Sequence, residues 1–196
     1  METDIQTEAM KSWENKSDFD KALSIGLQGP PDLKHDEKTQ YLGEFKERVI
    51  KLLTKKQVIE PGIYPEIVQA LKDERTTKII LSGDVDDHIT EKYQKLAKQM
   101  GKRYTIIHDP EFKGDAGLIA ISNDAVDVDD INVQDREIKF KKLGIPVSLV
   151  NYAGEKVCEN CLNKILSLAP EESINYQKLT IMDRFLGEHC PACTEQ

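Results

Sequence analysis

Residues 78–108 limit the possible folds more than any other part of the chain. The run Lys78-Ile79-Ile80-Leu81-Ser82-Gly83 is short, apolar and closed by glycine. An amphipathic stretch follows from Ile89 to Met100, stopped by Gly101, and then a second run, Tyr104-Thr105-Ile106-Ile107-His108. This succession predicts a β-α-β unit with parallel strands and a right-handed crossover. Gly117-Leu118-Ile119-Ala120-Ile121 comes too soon for another helical crossover. A third strand is therefore expected to pair antiparallel through a loop or hairpin, which gives an α/β fold with a mixed sheet.

The flanking segments are read by period. Tyr41, Leu42, Phe45, Val49, Leu52 and Leu53 recur at three- and four-residue steps, so the spacing predicts one helix over 41–58 with Phe45 and Val49 at the centre of its buried face. Its other face would carry Lys46, Arg48, Lys51, Lys55 and Lys56. Pro61-Gly62 breaks the chain, and a second helix is expected from Tyr64 to Glu74, with Pro65 in its first turn. Val133 to Leu143 reads as a mixed-charge helix bearing Arg136, Lys139, Lys141 and Lys142. Ile145 to Val150 reads as an edge strand, because Pro146 suits an edge better than a centre. The first twenty residues show no sustained period.

Several of these residues carry a resemblance. Gly26-Leu27, Pro31-Asp32-Leu33-Lys34, Asp36-Glu37, the string Tyr41-Leu42-Gly43-Glu44-Phe45-Lys46-Glu47-Arg48-Val49, Leu53-Thr54, Tyr64-Pro65-Glu66, Gly117-Leu118 and Ala125-Val126 together resemble the YueI family of bacterial proteins. The resemblance runs from about Ala22 to beyond Asp127. It implies a mixed-sheet α/β sandwich grouped near the chorismate-mutase-like and kink-turn-binding ribosomal-protein folds. It brings no catalytic or ligand residues, and kinship with an RNA-binding fold is analogy alone.

The cysteines carry the strongest chemical signal. Cys158-Glu159-Asn160-Cys161 and Cys190-Pro191-Ala192-Cys193 are two CxxC pairs separated by 28 residues. Two such pairs can close a tetrahedral cage of four thiolates around one zinc ion. Four thiolates leave no open position for substrate, so the zinc would be structural. Leu162, Ile165, Leu166 and Leu168 with Ile181, Phe185 and Leu186 are expected to form a small helical hairpin, too poor in core to stand without the metal. Two other readings stay open. The cysteines can be ordinary thiols, or a redox pair, since a CxxC arrangement often lowers one thiol's pKa. His189 is a possible substitute ligand.

Asp84, Asp86 and Asp87 follow the first strand of the β-α-β unit, where open α/β sheets bind ligands. They can hold Mg²⁺ or act as catalytic carboxylates; the simpler reading is that Asp86 or Asp87 caps the next helix. Asp127, Asp129 and Asp130 read as a solvated turn, and His108-Asp109 as a strand exit. There is no GxSxG and no phosphate-binding glycine loop.

The net charge of −8 disfavours generic binding to nucleic acid or anionic lipid. No apolar run approaches the ~20 residues that cross a bilayer, and the polar start lacks the apolar core of a signal peptide, so no membrane association and a cytoplasmic location are expected. The expected organisation is a flexible tail over 1–21, a YueI-like α/β domain over 22–153 and a C-terminal zinc-binding unit over 154–196. The function expected is that of a non-enzymatic binding or regulatory protein, with RNA or an acidic protein surface as the partner of the basic helix faces. A thiol-redox sensor, or an enzyme using the Asp84 region, is the alternative.

Overall fold

The computed structural model describes Ser17 and residues 35–112, 114–126 and 128–194. The tail expected over 1–21 lies outside the described residues, Ser17 apart. A four-stranded mixed sheet is built from β1 (Val49–Thr54), β2 (Lys78–Ser82), β3 (Arg103–Ile107) and β4 (Ala116–Ile121), in the order β1-β4-β2-β3. The β-α-β unit forms as expected: β2 and β3 are parallel, joined by helix α4 (Asp87–Gln99). β4 is antiparallel, but it does not make a hairpin with β3. It inserts between β1 and β2 and pairs with both.

The helix expected over 41–58 does not exist. Helix α1 (His35–Gln40) ends before Leu42 and Gly43, whose φ values of 50° and 85° are incompatible with a continuing helix. A 3₁₀ turn at Lys46–Arg48 then leads into β1. Val49, Leu52 and Leu53 do fit a helical stripe, yet the same residues serve a strand buried on both faces. Ile50 and Leu53 enter one core, while Val49 and Leu52 enter the other. A register shift between Val49 and Lys51 breaks the strict alternation, so that Val49 and Leu52, three residues apart, face the same core. Thr54 ends the strand and opens α2 (Lys55–Ile59) with a capping box, its hydroxyl accepting from Gln57 N–H and its own N–H donating to the Gln57 side chain. Phe45, expected at the centre of a buried face, is only half-buried, with the Lys38 ammonium 5.1 Å from its ring centroid.

One face of the sheet packs against α2, α3 (Pro65–Lys72, with Pro65 at its start) and α4 through Leu53, Val58, Ile67, Leu71, Ile79, Leu81, Tyr93 and Leu118. The other face packs against Leu42 and Ile131 through Val49, Leu52, Ile80 and Ile119.

A third cluster lies farther along the chain. It joins Phe140 of α5 (Arg136–Leu143) to Ile145, Leu149, Val157, Ile165, Tyr176, Cys190 and Ala192. The edge strand expected at Ile145–Val150 is instead a 3₁₀ helix at Val147–Tyr152. Gly144 closes α5 at φ 69°, and the turn that follows brings Ile145 and Leu149 together in this cluster, a result an extended strand would not give. After it come β5 (Lys156–Val157), α6 (Glu159–Leu168), a 3₁₀ helix at Pro170–Asn175, β6 (Gln177–Lys178), α7 (Ile181–Phe185) and α8 (Pro191–Thr194). β5 and β6 form a two-stranded parallel sheet.

The expected helical hairpin is corrected as well. Ile165 is buried, but Ile181 and Phe185 are each 88% exposed, and Met182 and Leu186 are also exposed. The hydroxyl of Thr180 accepts from Asp183 N–H, and the Asp183 carboxylate accepts from Thr180 N–H and from Lys156 Nζ. With Asp183 so engaged on the inner side, α7 is oriented with its apolar side chains outward. No helix among the described residues is long and apolar enough to cross a membrane.

Candidate metal centre

Each CxxC pair sits at the first turn of a helix. β5 delivers the chain to Cys158, which is the N-cap of α6, and Cys161 lies one turn on; Leu162 N–H donates to Cys158 O over 2.9 Å. Cys190 precedes α8, where Pro191 takes the first helical position and Cys193 N–H donates to Cys190 O over 3.1 Å. An i, i+3 spacing on a helical turn points both sulfurs of a pair to one side. The β5-β6 pairing and the third core then bring the two turns face to face.

The four Sγ atoms all lie within 4.8 Å of one another. Cys193 Sγ is 3.6 Å from both Cys158 Sγ and Cys161 Sγ, and Cys190 Sγ is 3.9 Å from Cys161 Sγ. Disulfide sulfurs stand ~2.05 Å apart, so none of the four is joined in a disulfide. Zinc–thiolate bonds of ~2.3 Å place tetrahedral sulfurs about 3.8 Å apart, which matches the three distances. The four residues are thus close enough to hold one metal ion, and they converge without His189, which is exposed.

Their protonation is uneven. Burial pushes the Cys158 thiol up, but hydrogen bonds from the Cys161 backbone and from the neighbouring thiols outweigh it and hold Cys158 down at about 7. Cys161 is raised, first by burial and then by donating toward Cys158 and Cys193. Cys193 is raised chiefly by its hydrogen bond to Cys158. Without metal the cluster concentrates thiolate character on Cys158, at the positive end of α6. Binding a cation at its centre would release thiol protons, because the metal takes thiolates.

The remaining candidates do not converge. Asp84 is paired with Lys55 Nζ at 2.7 Å, and that contact holds its carboxyl below the usual range. Asp86 caps α4, its Oδ1 accepting from His88 N–H over 2.8 Å. Asp109 closes a turn by accepting from Glu111 N–H, and His108 lies exposed over Gly83. Asp129 and Asp130 are exposed, as a solvated turn requires; Asp127 is outside the described residues.

The basic helix face expected over 41–58 is also absent, because its cations are dispersed. Lys51 donates to Asp130 O, Lys55 pairs with Asp84 and Lys56 approaches Asp135 at 3.9 Å. On α5, Arg136 is wholly buried and Lys139 pairs with Glu66 and Glu171.

Arg136 belongs to an interaction that the sequence reading missed. Its Nε donates to Glu172 Oε2 over 3.2 Å, its two terminal nitrogens donate to Pro61 O and Ile63 O, and its guanidinium lies 4.3 Å from the centroid of the Tyr64 ring. Asn175 adds a two-way amide contact with Ile63, accepting from its N–H and donating to its O, each over 2.7 Å. Gly62, at φ 76°, allows this approach, since a Cβ there would meet Ala153 at 2.6 Å and Asn175 at 2.7 Å. The Pro61-Gly62 turn was legible; what it docks against was not.

Comparison with known proteins places this architecture. The chain is 30% identical over 117 residues to the "Uncharacterized protein YueI" of Bacillus subtilis (strain 168), a match covering 60% of this chain and 89% of that protein. The crystal structure of the B. subtilis YueI protein aligns at 29% identity with a TM-score of 0.51, covering 62% of this chain and 94% of YueI. The mixed α/β fold is therefore shared with YueI. A family model described as "Protein of unknown function (DUF1694)" matches residues 16–132, so all four cysteines lie beyond the matched span. The chain belongs to the family described as protein of unknown function, DUF1694.

Proposed function

We propose that Cys158, Cys161, Cys190 and Cys193 bind one structural zinc ion, and that the chain is a non-enzymatic binding or regulatory protein whose C-terminal unit, residues 154–196, is folded by that metal. The single observation carrying this reading is the convergence of the four sulfurs at separations of 3.6, 3.6 and 3.9 Å, the edge lengths of a zinc–thiolate tetrahedron. Four thiolates saturate the ion and leave no position for substrate, which favours a structural role. The exposed apolar row Ile181, Met182, Phe185 and Leu186 beside the centre supports a contact surface, since monomeric proteins rarely expose such a group. The mixed sheet supports the α/β-sandwich assignment for residues 22–153.

The test is removal of the metal. A strong chelator should release zinc and loosen residues beyond about Gly154, read by proteolysis and circular dichroism, while the four-stranded sheet persists. Unchanged protection of the C-terminal residues in metal-free, fully reduced protein would overturn the reading.

One observation favours a second reading as thiol-redox sensor. Exposed Cys193 stands 3.6 Å from both Cys158 and Cys161, so either bond can form with a small movement. Protein that purifies without metal and forms a disulfide under mild peroxide would support the sensor over the zinc module.

A further inference from the structure

A cleft of about 470 Å³ lies at the start of edge strand β3, far in sequence from the cysteines. Lys78, Lys98, Lys102 and Arg103 line it with Tyr104 and Asn123, and no carboxylate lines it among the described residues. This is a local reversal in a chain of net charge −8. We propose that the cleft binds a small ligand carrying two or more phosphate groups.

The arrangement is costly without an anion. Lys78 and Arg103 are partners in the parallel β2–β3 register, so two like charges stand side by side on adjacent strands. Glu44 offsets Lys78 at 3.4 Å, whereas Arg103 is exposed and makes no ion pair among the described residues. Lys98 lies over the Tyr104 ring, 5.3 Å from its centroid, and is likewise unpaired with a carboxylate among the described residues. Lys102 is held in place by donating to the carbonyls of Asp73 and Thr76, over 3.2 and 2.5 Å. An ammonium has three N–H groups, so one remains for a ligand.

The cleft thus offers an ammonium held by two carbonyls, a second over the Tyr104 ring and a guanidinium whose fork matches phosphate geometry. Lys98, Lys102 and Arg103 bring three positive charges, more than one phosphate balances, whereas two linked phosphates carry enough negative charge to match them.

Pyrophosphate is the probe, titrated into the full chain by calorimetry at ~0.15 M salt, with sulfate at matched ionic strength as the control for generic screening. Saturable binding with Kd below ~1 mM is expected, weakened about tenfold or more in Arg103→Ala and in Lys98→Ala. Arg103→Gln, which keeps a polar chain, should weaken it similarly, with melting temperatures within a few degrees of wild type for both Arg103 variants. Absence of saturation, equal binding by the variants, or equal binding of sulfate would overturn the proposal. So would binding of a short oligonucleotide without binding of pyrophosphate.

Discussion

Arg136 Nε lies 3.2 Å from Glu172 Oε2, and both side chains are buried almost completely. The pair ties the Pro61–Tyr64 turn and α5 to the 3₁₀ helix at Pro170–Asn175. Through its bonds to Pro61 O and Ile63 O, Arg136 thus connects the span matched by the family model, residues 16–132, to the part that carries the cysteines. Nothing about Arg136 in the sequence distinguishes it from Lys139, Lys141 and Lys142 on the same helix.

Breaking this pair from one side should be severe, because the remaining buried charge loses its closest ionic partner and keeps only a longer one, Glu60 at 3.6 Å for Arg136 or Lys139 at 3.5 Å for Glu172. Arg136→Met and Glu172→Gln should each cost about 3 to 5 kcal/mol in urea unfolding. The double variant should cost clearly less than the two losses added together, since it removes both charges. Additive losses would show that the two residues act independently.

Strand β1 gives a second prediction, and it reverses the expectation drawn from periodicity. Leu53 is fully buried, so Leu53→Ala should destabilise by about 2 to 5 kcal/mol. Phe45 is half-buried beside Lys38 and Arg48, so Phe45→Ala should cost about 1 kcal/mol. A larger loss at Phe45 than at Leu53 would restore a helix centred on Phe45.

These two residues show where sequence patterning succeeds and where it stops. The β-α-β unit was legible because Lys78 to Ser82 and Arg103 to Ile107 are short apolar runs around a capped, glycine-stopped helix. β1 was not, because Val49, Leu52 and Leu53 satisfy a helical stripe and a doubly buried strand equally. The cysteine cluster was legible from its paired spacing alone. The outward turn of Ile181 and Phe185 was not, since it follows from Asp183 and Lys156 meeting across 27 residues. Arg136 was misread because burial of a charge depends on partners that local sequence does not display.

Lys92 gives a pH prediction. Burial, and then the nearby Arg136, lower its pKa to about 8 although Glu60 opposes this, while its ammonium donates to Glu60 O. Its ordinary value is 10.5, so between about pH 8 and 10 the unfolded chain binds more protons than the folded one, and stability rises with pH. Above about pH 10 the buried hydroxyls of Tyr64, Tyr93 and Tyr176, all raised by burial, reverse the trend. Lys92→Met should remove a rise on the order of 1 to 3 kcal/mol between pH 7 and 9.5. Parallel pH profiles for wild type and variant would contradict this placement of Lys92.

Asp84 gives a contrasting case. Its carboxylate meets Lys55 at 2.7 Å but is more than half exposed, so the pair is screened by solvent. Its lowered pKa contributes stability above the ordinary carboxylate pKa that is lost as pH falls below it. Asp84→Asn should leave the urea midpoint at pH 7 close to that of wild type, and a large shift would return this carboxylate to consideration as a functional group.

The central claim is that four thiolates hold one metal ion, and metal content tests it most directly. Protein purified without chelator should contain one zinc per chain by elemental analysis, with Cys158, Cys161, Cys190 and Cys193 unreactive to a thiol reagent until the metal is removed. Cys190→Ser should lower the zinc content and expose the remaining thiols. Wild-type protein that carries no zinc, and whose four thiols react freely while the C-terminal residues stay folded, would contradict the account.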